Sequence, residues 1–358
     1  MRRVIRPAVG TGMAVVALLS VLGGGAAPGA TPEGPRLAFV KLGPGAYSSS
    51  LMTTDPAGQT GLALVRGFRR TRPLPFPEPP TWSPDGSTIA FAGVTGHLYD
   101  EGSKIFVVDA DGGHPRPIVG TEGGGGPVFS RNGTAIAFTR RRERSRVLRP
   151  RPGEFREYFE HAVSVWLVET ENGSVRQLTP WRFGVEHFPT SFSPDGTAVL
   201  TTRVLNWGPP AVVAIRLDGS GSDLLLRNAS SAEFSPDGSQ IAYLRHGRKY
   251  SERNDGGGVA TARITDVFVR SADGNRTNRL TQTPRDEESG VTWDPSGERL
   301  AFAQLGTVAS FMNPGSNAIV QMNADGTCRR KVLSLRKALL IGPVWRPGPG
   351  REAGRIAC

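Results

Sequence analysis

Trp82-Ser83-Pro84-Asp85-Gly86-Ser87-Thr88-Ile89-Ala90-Phe91 is the stretch on which the fold turns. Pro fixes φ at the second position of a tight turn, Asp accepts backbone hydrogen bonds, and Gly takes the positive φ that the turn exit needs. The residues that follow alternate apolar and small, as a half-buried strand does. The phrase returns as Phe129-Ser130-Arg131-Asn132-Gly133 with Ile136-Ala137-Phe138, and as Phe192-Ser193-Pro194-Asp195-Gly196 with Val199-Leu200. It returns again as Phe234-Ser235-Pro236-Asp237-Gly238 with Ile241-Ala242-Tyr243, and as Trp293-Asp294-Pro295-Ser296-Gly297 with Leu300-Ala301-Phe302. A shortened copy is Trp345-Arg346-Pro347-Gly348. Asp85, Gly86, Asn132, Gly133, Asp195, Gly196, Asp237, Gly238 and Gly297 are therefore expected to be structural turn residues. The departures at 131, 294, 296 and 346–350 are expected to weaken individual turns.

A second strand, an Asp/Asn-Gly turn and another strand follow each phrase, as at Ala110-Asp111-Gly112 and Ala324-Asp325-Gly326. Two hairpins in series make a four-stranded meander. The phrases begin at 82, 129, 192, 234, 293 and 345, a spacing that fits propeller blades with insertions. The last phrase lacks most of its blade. Leu37-Ala38-Phe39 and the hairpin around Asp55-Pro56-Ala57-Gly58 supply it, joining both ends of the chain in one blade with no open sheet edge. The expectation is an all-β, six-bladed β-propeller of four-stranded antiparallel blades, one domain over 31–358. Arg355-Ile356-Ala357 also reads as a strand that would add to the closing blade.

The repeated phrase resembles that of the TolB-like propellers, whose repeats carry an aromatic-Ser-Pro-Asp-Gly turn before an Ile-Ala-aromatic strand, and the resemblance covers roughly 36–347. It implies a rigid scaffold that binds a protein or cell-envelope partner and carries no cofactor. Some TolB-like propellers are instead metal-dependent uronate lyases with histidines at the channel mouth. That makes a polysaccharide lyase or hydrolase the alternative, with His97, His161, His187 and His246 as its ligand candidates. All four are expected in loops of one face, and no two have a metal-like local spacing.

Arg2, Arg3 and Arg6 precede an apolar run over 8–22 and small residues over 23–30, the pattern of a cleaved secretory signal, with an uncleaved anchor as the lesser reading. The expected location is periplasmic or secreted. Cys328 and Cys358 are then expected to form a disulfide. The net charge of +11 can attract anionic partners, but there is no basic stripe interleaved with aromatics, so nucleic acid is not an expected partner. No Gly-x-Ser-x-Gly elbow is present, and Gly123 to Gly126 has no Lys-Ser/Thr after it to make a phosphate cradle.

Seven arginines between 140 and 151 mark a long insertion, read as a loop. With the connections around 93–103, 203–210 and 246–265 it is expected to form a long-loop face. There Arg141, Arg144, Arg146, Tyr158, Trp207 and Tyr250 are the candidate partner-binding residues, for a partner that is acidic. A monomer is expected.

Overall fold

The structure is a computed structural model that describes residues 36–43, 49–68, 78–93, 102–113, 115–148, 156–206, 208–253, 259–283, 286–306, 316–336, 338–348 and 354–358. The signal segment, His97 and Trp207 lie outside the described residues. Among the described residues every element is a strand. The first meander is β1 (Leu37–Leu42), β2 (Ser49–Thr54) and β3 (Gly61–Phe68), completed by the last strand of the chain. The next is β4 (Thr81–Trp82), β5 (Thr88–Gly93), β6 (Lys104–Asp109) and β7 (Arg116–Pro117). Then come β8 (Gly124–Phe129), β9 (Ala135–Leu148), β10 (Arg156–Glu169) and β11 (Val175–Gln177). They share an eight-stranded sheet with β12 (Val185–Phe192), β13 (Ala198–Leu205), β14 (Ala211–Arg216) and β15 (Ser222–Arg227), through a single parallel bridge between Val163 and Glu186. Two further sheets are β16 (Ala229–Phe234), β17 (Gln240–Arg253), β18 (Val259–Ser271), β19 (Thr277–Arg279), and β20 (Glu287–Trp293), β21 (Arg299–Leu305), β22 (Ser316–Asn323), β23 (Arg330–Arg336). β24 (Leu339–Trp345) pairs antiparallel with β1, setting Leu37 opposite Trp345 and Ala38 opposite Val344.

The phrase forms its turn by one repeated arrangement. Ser83 Oγ donates to Asp85 Oδ1 at 2.5 Å and accepts from the Thr88 N–H at 3.0 Å, while the Gly86 N–H, at φ +68°, closes on the Ser83 carbonyl. The same bonds link Ser193, Asp195 and Ala198, then Ser235, Asp237 and Gln240, and Ser130, Asn132 and Ala135. Serine donation holds Asp85, Asp195 and Asp237 below the usual carboxylate range. At 294 and 296 the two residue types have exchanged places. Ser296 Oγ donates to Asp294 Oδ2 at 2.7 Å and Asp294 Oδ1 takes the Arg299 N–H at 2.9 Å, so this turn keeps its bonding instead of weakening.

The other departures tie turns together. Arg131 reaches the carbonyls of Ser235 and Pro236, at 3.2 and 3.0 Å, and Arg346 donates to the Gly86 carbonyl at 2.9 Å. Phrase tryptophans link neighbouring sheets: the Trp82 indole donates to the Val344 carbonyl and the Trp293 indole to the Glu233 carbonyl. The core lies between sheets, as where Leu37, Phe39, Leu340 and Trp345 pack on Ala301, Ala303 and Ile319.

Three expectations change. Over 141–148 and 156–162 the insertion after Arg140 is the continuation of β9 and β10, and over 246–253 and 259–265 the other connection is that of β17 and β18. Accordingly His161, His187 and His246 sit in strands β10, β12 and β17, not loops. In β9–β10 some polar residues have cross-strand partners that match their charge, as Arg144 opposite Glu160 and Glu143 opposite His161 do. The tail around Ile356 adds no strand. It docks on the β22–β23 turn, where the Asn323 side chain bonds both the N–H and the carbonyl of Ile356, and Arg355 pairs with Asp325. Cys328 and Cys358 are disulfide-bonded there, their Cα atoms 4.9 Å apart.

Candidate functional site

In each meander the second and third strands are joined at the same end, so the elongated pairs β9–β10 and β17–β18 extend from corresponding ends of their sheets. A ladder of stacked cations braces the first pair. The Arg140 guanidinium lies 4.3 Å from the Trp166 ring centroid, Arg142 4.4 Å from that of Trp181, and Arg144 4.0 Å from that of Phe183. Each such contact is worth about 0.5–1 kcal/mol at an exposed site. Arg140 also donates to the carbonyls of Gly120 and Glu122. Trp181 and Phe183 come from the connection into β12, so the interleaving of basic and aromatic side chains exists in space and not along the sequence.

The expected docking arginines are part of this brace. Arg144 and Arg146 share Glu160, at 2.5 and 3.3 Å, and Arg144 above all holds the Glu160 carboxyl below its usual range. Arg141 lies 4.0 Å from Glu143. Tyr158 bonds Glu160 through its hydroxyl, yet it stays 38% exposed, and Phe159 stays 52% exposed. Tyr250 lies in β17 opposite Ala262.

Each of the three described histidines contacts a different neighbour. His161 Nδ1 is 3.4 Å from Glu143, His187 Nδ1 3.2 Å from the Thr201 hydroxyl, and His246 Nε2 2.8 Å from the Ser230 hydroxyl. Burial, with Arg203 nearby, lowers His187 to about 4 and keeps it neutral. Among the described residues no group of three His, Cys, Asp or Glu side chains converges as a metal site would require.

Beside the braced pair is a wedge-shaped pocket of about 180 Å³. Cross-strand register places Arg141, Val163, Glu186 and Val204 in one row. In the next row the backbone of Gly184 runs between His161 and Asn206, donating to the His161 carbonyl and accepting the Asn206 N–H. Gly184 has φ +81°, and a Cβ there would stand 2.0 Å from Asn206 Oδ1, so glycine keeps the wedge open. Glu186 is 6% exposed, and burial raises its carboxyl above the usual range despite Arg141.

A second cavity, of about 450 Å³, opens among the phrase turns and is lined by Trp82, Phe129, Phe192, Phe234, Trp293 and Trp345. One phrase aromatic from each meander thus faces a common space. Glu233 also lines it, and burial raises its carboxyl to about 7 against the opposing Thr292 hydrogen bond. From sequence these turns are expected to be structural only. The signal was available in the phrase, whose aromatic falls at the same strand end in every copy.

No family model matches the chain. An uncharacterized protein of Agrobacterium fabrum is 26% identical over 179 residues, 46% of this chain and 53% of that protein, so the match spans about half the length of this curated relative. TolB from Acinetobacter baumannii superposes with a TM-score of 0.59 at 20% identity, over 87% of this chain and 67% of that one. A protein of Agrobacterium tumefaciens described as a TolB gives 0.51 at 15% identity, over 88% of this chain and all of that one. The fold is that of the TolB-like propellers. Among the described residues no helix is long and apolar enough to cross a membrane.

Proposed function

We propose that the meanders close into one six-bladed ring over 31–358, exported by a cleaved signal over 1–30. This monomeric scaffold binds a protein or cell-envelope partner and does no chemistry of its own. Ring closure is supported by the β1–β24 pairing, the Trp82–Val344 bond and the six phrase aromatics around one cavity. The observation that carries the binding role is the braced β9–β10 pair. A ladder of three arginine–aromatic stacks holds a strand pair that presents the exposed Tyr158 and Phe159. Aromatics held rigid on a scaffold are the residue type that anchors interfaces. Arg141, Arg144 and Arg146 lie on the same strand pair, Tyr250 and Trp207 remain candidate contacts in this reading, and an acidic partner would meet the arginine edges left open. The lyase alternative needs its histidines on one ion, whereas His161, His187 and His246 each have a separate neighbour.

The test is capture of the native partner from envelope extracts by the full chain. The double variant Tyr158→Ser, Phe159→Ser is expected to lose capture with its melting temperature unchanged. Gly219→Ala, at an Asp-Gly turn with nothing within 4 Å of the added Cβ, is expected to keep it. Capture that survives the double variant and fails in the turn variant would place the interface on the opposite face.

A further inference from the structure

The geometry points to the wedge beside Gly184 as a pocket for the ammonium group of a lysine side chain carried by a protein partner. The inference rests on the reading of the braced strand pair as the docking edge and names one anchor that edge would take.

Three observations lead there. First, the polar groups at the wedge are mostly acceptors. The Glu186 carboxylate lines the pocket at 6% exposure together with Glu160, and the charged group that acts on Glu186, Arg141, sits two strands away in the same row. The Asn206 amide oxygen stands over Gly184, and its position is set by the glycine's missing side chain. A carboxylate withdrawn from water without a hydrogen-bonded cation is costly, and a cation arriving from outside relieves that cost. Second, the neighbouring arginines stay outside the pocket. Arg144 and Arg146 hold Glu160, Arg141 lies 4.0 Å from Glu143, and none of the three lines the pocket. Third, the mouth is aromatic. Tyr158 and Phe159 line the pocket and remain exposed, and a ring face attracts an ammonium while covering the methylenes behind it. About 180 Å³ accommodates the end of one extended cationic side chain.

Backbone-amide NMR of the intact exported protein, titrated with Nα-acetyl-lysine methylamide, tests this. Nα-acetyl-norleucine methylamide serves as the uncharged counterpart, and glucosamine as the ammonium of a polymer sugar. The lysine probe is expected to give saturable shifts at 159–161 and 184–186 with a millimolar Kd. The norleucine probe and glucosamine are expected to bind at least tenfold more weakly. Glu186→Gln and Phe159→Ala are each expected to weaken the lysine probe at least fivefold with the remaining spectrum unchanged. If Glu186→Gln does not fold, Phe159→Ala, on an exposed side chain, decides alone. Equal binding of norleucine, tighter binding of glucosamine, unchanged affinity in Phe159→Ala, or no saturable shift at 50 mM would each overturn the assignment. Loss of partner capture in Tyr158→Ser, Phe159→Ser alongside a silent lysine titration would remove the pocket and leave the docking edge standing.

Discussion

Breaking the Cys328–Cys358 bond tests how the tail contributes to the fold. The bond closes a loop of 30 residues. Chain-entropy reasoning gives about 3.6 kcal/mol of stabilisation for a loop of that length, through restriction of the unfolded chain. Unfolding entropy near 2.1 cal/mol/K per residue over the exported chain makes that a loss of about 5 °C in melting temperature. The native geometry should survive the change, because Asn323 holds Ile356 by two hydrogen bonds and Arg355 pairs with Asp325 independently of sulfur. The assay is calorimetric melting of the wild type and of Cys328→Ser, Cys358→Ser, both without reductant. The double variant should melt about 5 °C lower with an unchanged circular dichroism spectrum. Adding Asn323→Ala should lower it further, by a degree or two. A shift under 1 °C, or a double variant that cannot fold, would refute the reasoning: the first because the loop would not constrain the unfolded chain, the second because the tail would be essential to the fold.

Burial raises Glu288 to about 7, so it favours the protonated fold. Its stabilisation is complete below pH 4.5 and is lost as pH rises towards 7, by at most about 1.4 kcal/mol per pH unit. The melting temperature of Glu288→Gln relative to wild type should therefore climb over that window, and a gap independent of pH would show that Glu288 does not titrate there. His187 has the opposite sign: lowered to about 4, it stabilises above pH 6.5 and loses that as pH falls towards 4, so His187→Gln should gain on wild type in acid melts. Gly58 has φ +73°, and an added Cβ would lie 1.9 Å from the Val332 carbonyl of the adjacent sheet, so Gly58→Ala should cost about 2–4 kcal/mol. Gly196→Ala, at φ +69° with nothing within 4 Å, should cost about 1 kcal/mol, and equal losses in denaturant melts would deny the close contact between sheets. Arg144→Met removes the stack on Phe183, about 0.5–1 kcal/mol, and the pair with Glu160, so hydrogen-exchange protection over 143–148 and 156–160 should fall about two- to fivefold with global melting unchanged.

The repeated phrase carried most of the fold because its chemistry is local. Ser, Asp and Gly within five residues make their own turn, as Ser83, Asp85 and Gly86 do. Even the exchanged pair at Asp294 and Ser296 preserves the bond that the consensus order makes. The pairing of Leu37 with Trp345 was legible for the same reason, since the last phrase visibly lacked its partner strands. What was not legible depends on residues distant in sequence. The run after Arg140 is dense in charge and reads as solvated loop, but Arg140, Arg142 and Arg144 stack on aromatics contributed from 166, 181 and 183, and Arg144 and Arg146 pair with the cross-strand Glu160. The wedge depends on Gly184 and Asn206 meeting beside β10, which no local spacing announces. The tail resembled a strand in composition, and the Asn323 side chain, which bonds both polar groups of the Ile356 backbone, docks it on a turn instead.

Site-specific photocrosslinking in the native cell tests most directly the claim that the partner docks on the braced pair. A photoreactive amino acid is placed singly at Val147 and Phe159, both exposed on β9–β10, and at Gly196 and Gly219 in the repeated turns. The account predicts one discrete crosslinked species from 147 and 159 and none from 196 and 219. Crosslinks confined to 196 and 219 would contradict it.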